Sequence, residues 1–196
     1  MTSGPITPPS VPVLLRRART ADVRGIKALV DGFASDNILL RKPLVTLYET
    51  VQEFRVAVRG PAVVGCGALH VLWEDLGEVR TIGVDPSVQG SGVGYALVDE
   101  LIAQARALGL RSLFVLTFEV SFFERHGFRE IDGSPVSPDV YAEMLQSADE
   151  GVAEFLDLAY VKPNTLGNTR MLLELAGPRY QEPRPHPDTS EDRGPP

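Results

Sequence analysis

Cysteine is nearly missing from this chain: Cys66 stands alone in 196 residues. One thiol excludes an internal disulfide framework and suits a reducing compartment, so a cytoplasmic protein is expected. Cations are also scarce, with 19 lysines and arginines against 26 aspartates and glutamates and a net charge of −7. That balance argues against a nucleic-acid partner, whose broad footprint needs clustered positive charge. No apolar run approaches the roughly 20 residues of a membrane span. The opening MTSGPITPPS has neither a basic stretch nor an apolar one, so it does not read as a signal peptide. His70 and His126 lack the Cys or carboxylate spacing of a metal site, and no metal is expected.

What remains is the composition of an ordinary globular domain, 43% apolar and 23% charged. Residues 1–10 and 176–196 are rich in proline and poor in apolar side chains, so both ends are expected to stay disordered, leaving a domain over 11–175. Within it the periodicity alternates. VLLRRA reads as a strand, Thr20 as the N-cap of a helix striped by Val23, Ile26, Leu29, Val30 and Phe33, and Pro43 as the start of a second helix. FRVAV and AVVGCGALHVLW flank Arg59-Gly60-Pro61, a hairpin signal, and a further strand covers 77–84. A helix to about Ala107, a strand over 112–117, a short helix in SFFERHGF, a strand at FREI, a helix in SPDVYAEMLQS and a last strand over 169–175 complete the order. The helix after Val84 forces strands 77–84 and 112–117 to run parallel, while the hairpins are antiparallel. An α/β (α+β) fold follows, with a mixed sheet and helices on it.

Gly90, Gly92 and Gly94 stand at alternate positions just before a helix, where bare N–H groups and the helix dipole favour an anion. A phosphate loop of the G-x-x-x-x-G-K-[ST] type is excluded by the missing lysine. The dinucleotide fingerprint G-x-G-x-x-G fails because its third glycine comes one residue early, leaving Tyr95 in its place. Gln89-Gly90-Ser91-Gly92-Val93-Gly94 instead matches Q-x-x-G-x-G and resembles the pyrophosphate loop of GNAT acetyltransferases, which bind acetyl-CoA. The resemblance implies a GNAT fold, a mostly antiparallel sheet with a splayed parallel pair and helices on both faces. It also implies that Ile82, Gly83 and Val84 line pantetheine with their backbone, beside the loop Gln89 to Tyr95.

GEVRTIGVDPSVQGSGVG, LFVLT and FFERHGF, with NILLRKPLVTLYETVQEF upstream, are similar to the acetyltransferase domain of N-acetylglutamate synthases, in the short stand-alone form. What this implies is acetyl transfer to the α-amine of glutamate, or of glutamine, at the first step of arginine biosynthesis. It also implies Glu78 as the base that takes the amine's proton and Thr117 as a donor to the departing thiolate. Lys42 and its neighbour Arg41 then bind a substrate carboxylate, and Thr169 stands at a substrate-side serine position whose arginine partner is replaced by Gly167. Phe123 occupies the place where most GNAT enzymes carry a tyrosine acid. Another small amine or a peptide N-terminus as acceptor stays open, as do a CoA-binding regulatory module without turnover and a homodimer.

Overall fold

The computed structural model describes residues 12–35, 42–161 and 167–175; the expected tails and Arg41 lie outside the described residues. Seven strands form one sheet in the order β1-β2-β3-β4-β5-β7-β6. They are β1 (Val13–Arg17), β2 (Phe54–Arg59), β3 (Ala62–Val71), β4 (Leu76–Val84), β5 (Ser112–Thr117), β6 (Arg129–Glu130) and β7 (Thr169–Glu174). All neighbours are antiparallel except β4 and β5.

Helices cover both faces. α1 (Val23–Ser35) and α2 (Leu44–Glu49) bury Val23, Ile26, Val30 and Leu47 against Phe54, Val56, Cys66 and Ala68. α3 (Val93–Leu108) and α4 (Val120–Glu124) lie on the opposite face, where Val98, Leu101 and Phe123 meet Leu69, Val79, Leu113, Val115 and Met171. α5 (Pro138–Met144) and α6 (Glu150–Phe155) share the first face with α1, packing Met144, Val152 and Phe155 on Leu76 and Phe114. Burial of this kind contributes roughly 1.5–3 kcal/mol per large apolar side chain. No helix among the described residues is long and apolar enough to cross a membrane.

Two local readings change. Thr20 does not cap α1: a 3-10 turn, Thr20–Asp22, comes first, and the Asp22 carboxylate accepts from the Arg19 N–H at 2.7 Å while also holding Arg16. The amide that Asp22 satisfies is thus the one ahead of the turn, and not a first-turn N–H of the kind an N-cap threonine accepts from. The second difference is α6, which sequence periodicity left as loop.

The β4–β5 pair positions the site. Their parallel ladder runs only from Leu76↔Ser112 to Glu78↔Phe114. Beyond it β5 stays with β7 as far as Thr117↔Thr169, and β4 stays with β3, so a wedge opens between them. β4 also bulges: Cys66 pairs with Gly83 but Ala68 with Arg80, so one extra residue is inserted opposite Gly67. Thr81 takes up the bulge at φ 58°, a left-handed conformation that is unusual for a β-branched residue. Gly67 stands opposite the bulge, where a Cβ would come within 2.4 Å of the end of the Ile82 side chain.

Candidate active site

Strand alternation sorts the side chains around the wedge. Glu78 and Arg80 share the α6 face with Leu76, whereas Thr117 shares the α3 face with Leu113 and Val115. The two expected catalytic side chains therefore approach the wedge from opposite faces of the sheet.

Glu78 is 4% exposed. A Cβ on Gly151 would sit 2.1 Å from its Oε2, so the first turn of α6 rests directly on the carboxyl. That oxygen has no hydrogen-bond partner among the described residues. Burial pushes the Glu78 carboxyl up to about 8; Arg80 opposes this, Glu154 and Asp149 add to it, and Lys42 opposes it again. Glu154, also buried, is raised to about 7 by burial and by Glu150. A carboxyl raised this far is protonated and deprotonated near neutrality, which suits a general base.

Around Glu78 runs a ring of charge that the sequence did not disclose. Arg80 Nη1 donates to both oxygens of Asp149 at 3.1 and 3.2 Å, and its Nη2 donates to Glu53 Oε2 at 3.1 Å. His70, the residue opposite Glu78 on β3, has Nδ1 2.9 Å from Glu53 Oε1 and Nε2 3.5 Å from Asp149 Oδ2. Asp149 also N-caps α6, accepting from the Gly151 and Val152 amides. Burial works against its charge, but Arg80 and His70 hold its carboxyl below the usual range. The signal was there: Asp149 followed by Val152, Phe155 and Leu156 is a cap with an i, i+3, i+4 stripe.

On the other face, Thr117 is buried and its Oγ1 accepts from the Glu119 amide at 2.9 Å. The hydroxyl hydrogen is thereby left to donate elsewhere. Phe123 is a buried core ring set edge-on to Phe122 and Phe128.

The glycine loop leads into α3 as expected. Gly90 and Gly92 sit at φ 75° and 85°, with open space where their Cβ atoms would be. Gly92 is the N-cap, and the first backbone bond of the helix runs from the Ala96 N–H to its carbonyl. The Val93, Gly94 and Tyr95 amides thus point out of the helix end. Gln89 Nε2 donates to the Val84 carbonyl at 3.3 Å and the Ser91 hydroxyl to that of Val88 at 2.5 Å, which fixes the loop. Gly94 is close to Val84 and Phe122, and Tyr95 stacks on His126 with centroids 4.0 Å apart.

Of the expected substrate residues, Lys42 is near enough to Glu78 and Glu154 to stabilise both charges. Thr169 is brought to Thr117 by the β5–β7 register, on the face away from Glu78. Arg170 is committed elsewhere, to the Phe155 carbonyl and the Phe114 ring.

A family model of acetyltransferases, the GNAT family, matches residues 35–128. An amino-acid acetyltransferase of Mycobacterium tuberculosis is 62% identical over 165 residues, 83% of this chain and 94% of that protein. The chain belongs to the amino-acid acetyltransferases of the GNAT family.

A crystal structure of Rv2747 from Mycobacterium tuberculosis, in complex with CoA and NLQ, superposes on this acetyltransferase with a TM-score of 0.80 at 62% identity, covering 83% of this chain and 99% of that one. An amino-acid acetyltransferase of Salmonella typhimurium is 33% identical over 120 residues, 60% of this chain but 27% of that protein. N-acetylglutamate synthase from Neisseria gonorrhoeae, at 23% identity and a TM-score of 0.67, shares the fold over 84% of this chain and 35% of its own. The acetyltransferase's wedge, its bulge and its open glycine cradle fit a CoA-borne acyl group: backbone donors for an anion at one end, and a buried carboxyl and a hydroxyl at the other.

Proposed function

We propose that this acetyltransferase moves the acetyl group of acetyl-CoA to the α-amine of L-glutamate or L-glutamine, the reaction that would open arginine biosynthesis in a cytoplasmic setting. The observation that carries the reading is Glu78, a buried carboxyl raised to about 8, standing where the β4–β5 ladder ends.

An α-ammonium has no lone pair, so it must lose a proton before it attacks; Glu78 takes that proton. The amine then forms the new C–N bond at the thioester carbonyl, whose oxygen gathers charge beside the backbone of the Ile82–Val84 segment. Collapse breaks the C–S bond, the nitrogen releases its second proton to solvent, and the departing thiolate accepts a hydrogen bond from the Thr117 hydroxyl on the opposite face. The Gln89–Tyr95 loop holds the pyrophosphate, and Ile82, Gly83 and Val84 align the pantetheine. Transfer is direct. Cys66 is fully buried, its Sγ donates to the Thr81 carbonyl at 3.6 Å, and burial pushes the thiol up to about 12. Such a thiol is no nucleophile.

Lys42 is a cation on the substrate face, with Arg41 beside it in sequence, while Thr169 stands beside Thr117 on the opposite face. Charge favours glutamine as a second acceptor. Glu53, Glu78, Asp149 and Glu154 cluster here against Lys42 and Arg80, so a side-chain carboxylate meets more repulsion than an amide does. Initial rates with acetyl-CoA across the amino acids, read by thiol release and product mass, test the proposal. Turnover confined to glutamate and glutamine supports it; preference for an unrelated amine or a peptide, or no turnover at all, overturns it.

A further inference from the structure

Arg80 ought to be Glu78's partner. It lies two residues along the same strand on the same face, and a half-buried guanidinium beside a buried carboxylate normally closes into a bidentate pair. Here the two stay apart: the nearest approach, Nη1 to Oε2, is 3.7 Å, and that Oε2 accepts no hydrogen bond. Arg80's donors are taken instead. Nη1 is shared between the Asp149 oxygens and Nη2 goes to Glu53.

Both captors are themselves held. Asp149 is fixed by the α6 amides it caps, through Oδ1 to Gly151 at 2.8 Å and Val152 at 3.3 Å. Glu53, in the 3-10 turn before β2, is fixed by His70 Nδ1 at 2.9 Å. His70 then closes the ring with Nε2 3.5 Å from Asp149. Gly151 packs against the Glu78 carboxyl, with no room for a Cβ between them.

We propose that Asp149 and Glu53 are positioning residues that hold Arg80 at 3.7 Å from Glu78, within charge contact but short of a hydrogen-bonded, bidentate pair, so that Glu78 stays available as a base. The inference rests on Glu78 being the base. Its logic is a competition for one guanidinium. Freed from its captors, Arg80 would close on Glu78 and stabilise the carboxylate, which lowers such a group by about 1–3 pH units. A weaker base takes a proton from an ammonium less readily. The remaining charges facing Glu78 are Lys42 ahead of α2 and Glu154 on α6, with Glu150 next to Glu154 and His70 across the ladder. None of them bonds to Arg80's guanidinium, so the tether depends on Asp149 and Glu53.

The test compares Asp149→Asn, Glu53→Gln and Glu78→Gln with the parent. Asparagine caps helices about as well as aspartate, so α6 is retained while the charge is lost; Glu53→Gln lies outside α6 and covers the case in which that helix is disturbed. Carbon NMR of glutamate-labelled protein follows the carboxyl titrations, with Glu78 assigned as the signal absent from Glu78→Gln. Expected is a fall of about one pH unit or more in the Glu78 midpoint in both tether variants, with the acid limb of kcat/KM moving the same way. An unmoved Glu78 midpoint in both folded variants overturns the tether. Parental turnover in Glu78→Gln overturns the base assignment instead, and the NMR midpoint still reports the tether separately.

Discussion

Replacing Glu78 by glutamine should cost activity and return stability, and the second effect has a pH signature. The folded carboxyl is raised to about 8 from an ordinary 4.5. The unfolded chain therefore prefers the ionised form. Stability is fully present below about 4.5 and is lost as pH rises through 8. At about 1.4 kcal/mol per pH unit, the full loss has a ceiling of about 5 kcal/mol. Side-chain relaxation and water entry reduce such penalties, so about 2 kcal/mol is the working expectation. Glutamine has the same shape and does not titrate. Urea unfolding of parent and Glu78→Gln at pH 5 and pH 9 should thus show a gap that is small at pH 5 and opens to about 2 kcal/mol at pH 9. For a domain of this size that corresponds to roughly 4–8 °C in Tm. Glu154 titrates in both proteins, and its coupling to Glu78 forms part of the gap. Meanwhile kcat should fall about 10²–10⁴-fold, the usual contribution of a general base. Stability curves that run parallel from pH 5 to pH 9 would refute the claim that Glu78 is held against its charge.

Gly151→Ala should displace the Glu78 carboxyl, since the added Cβ would stand 2.1 Å from Oε2; expected is a drop in kcat of tenfold or more at nearly unchanged KM for acetyl-CoA, on the order of 1.4 kcal/mol. Gly92→Val forces a β-branched residue to φ 85° and fills the open cradle, so the KM for acetyl-CoA should rise strongly in steady-state assays, and an unchanged constant in folded protein would remove the loop from the cofactor site. Thr117→Val keeps the β-branch but loses the acceptor for the Glu119 amide along with the donor; kcat should fall while glutamate KM holds, and rescue by Thr117→Ser would separate the hydroxyl from packing. Lys42→Ala should raise the KM for the amino acid by roughly 10- to 150-fold, the span of one charged hydrogen bond, with glutamate and glutamine compared side by side.

The scaffold was legible wherever a local rule governs it. Gly92 and Gly109 bound α3 at left-handed φ as their positions announce, and the 112–117 strand falls where its apolar run does. Glu78, Thr117 and the glycine loop were proposed through motif resemblance, and Lys42 through one aligned segment. The charged ring was not legible, for a physical reason. Its members sit at 53, 70, 80 and 149, in a 3-10 turn, two strands and a helix cap, so nothing local joins them. Loop closure over more than 60 residues brings Asp149 to Arg80, and no periodicity encodes that. α6 was overlooked because it is six residues long and carries a glycine, which reads as a break. That same glycine is what lets the helix come down on Glu78.

Cys66 bears on measurement as well as on mechanism. At pH 8 a thiol raised to about 12 is ionised to roughly one part in ten thousand, and its sulfur is closed to solvent. A chromogenic disulfide reagent will therefore see released CoA and not the enzyme, so turnover can be followed continuously without a protein blank. The same burial turns the residue into a gauge. Cys66 pairs with Gly83 where β4 bulges, so its slow labelling in native buffer counts the openings of the sheet at that point. Comparing labelling rates with and without acetyl-CoA would show, from one naturally placed sulfur, how firmly the ligand clamps the centre of the sheet.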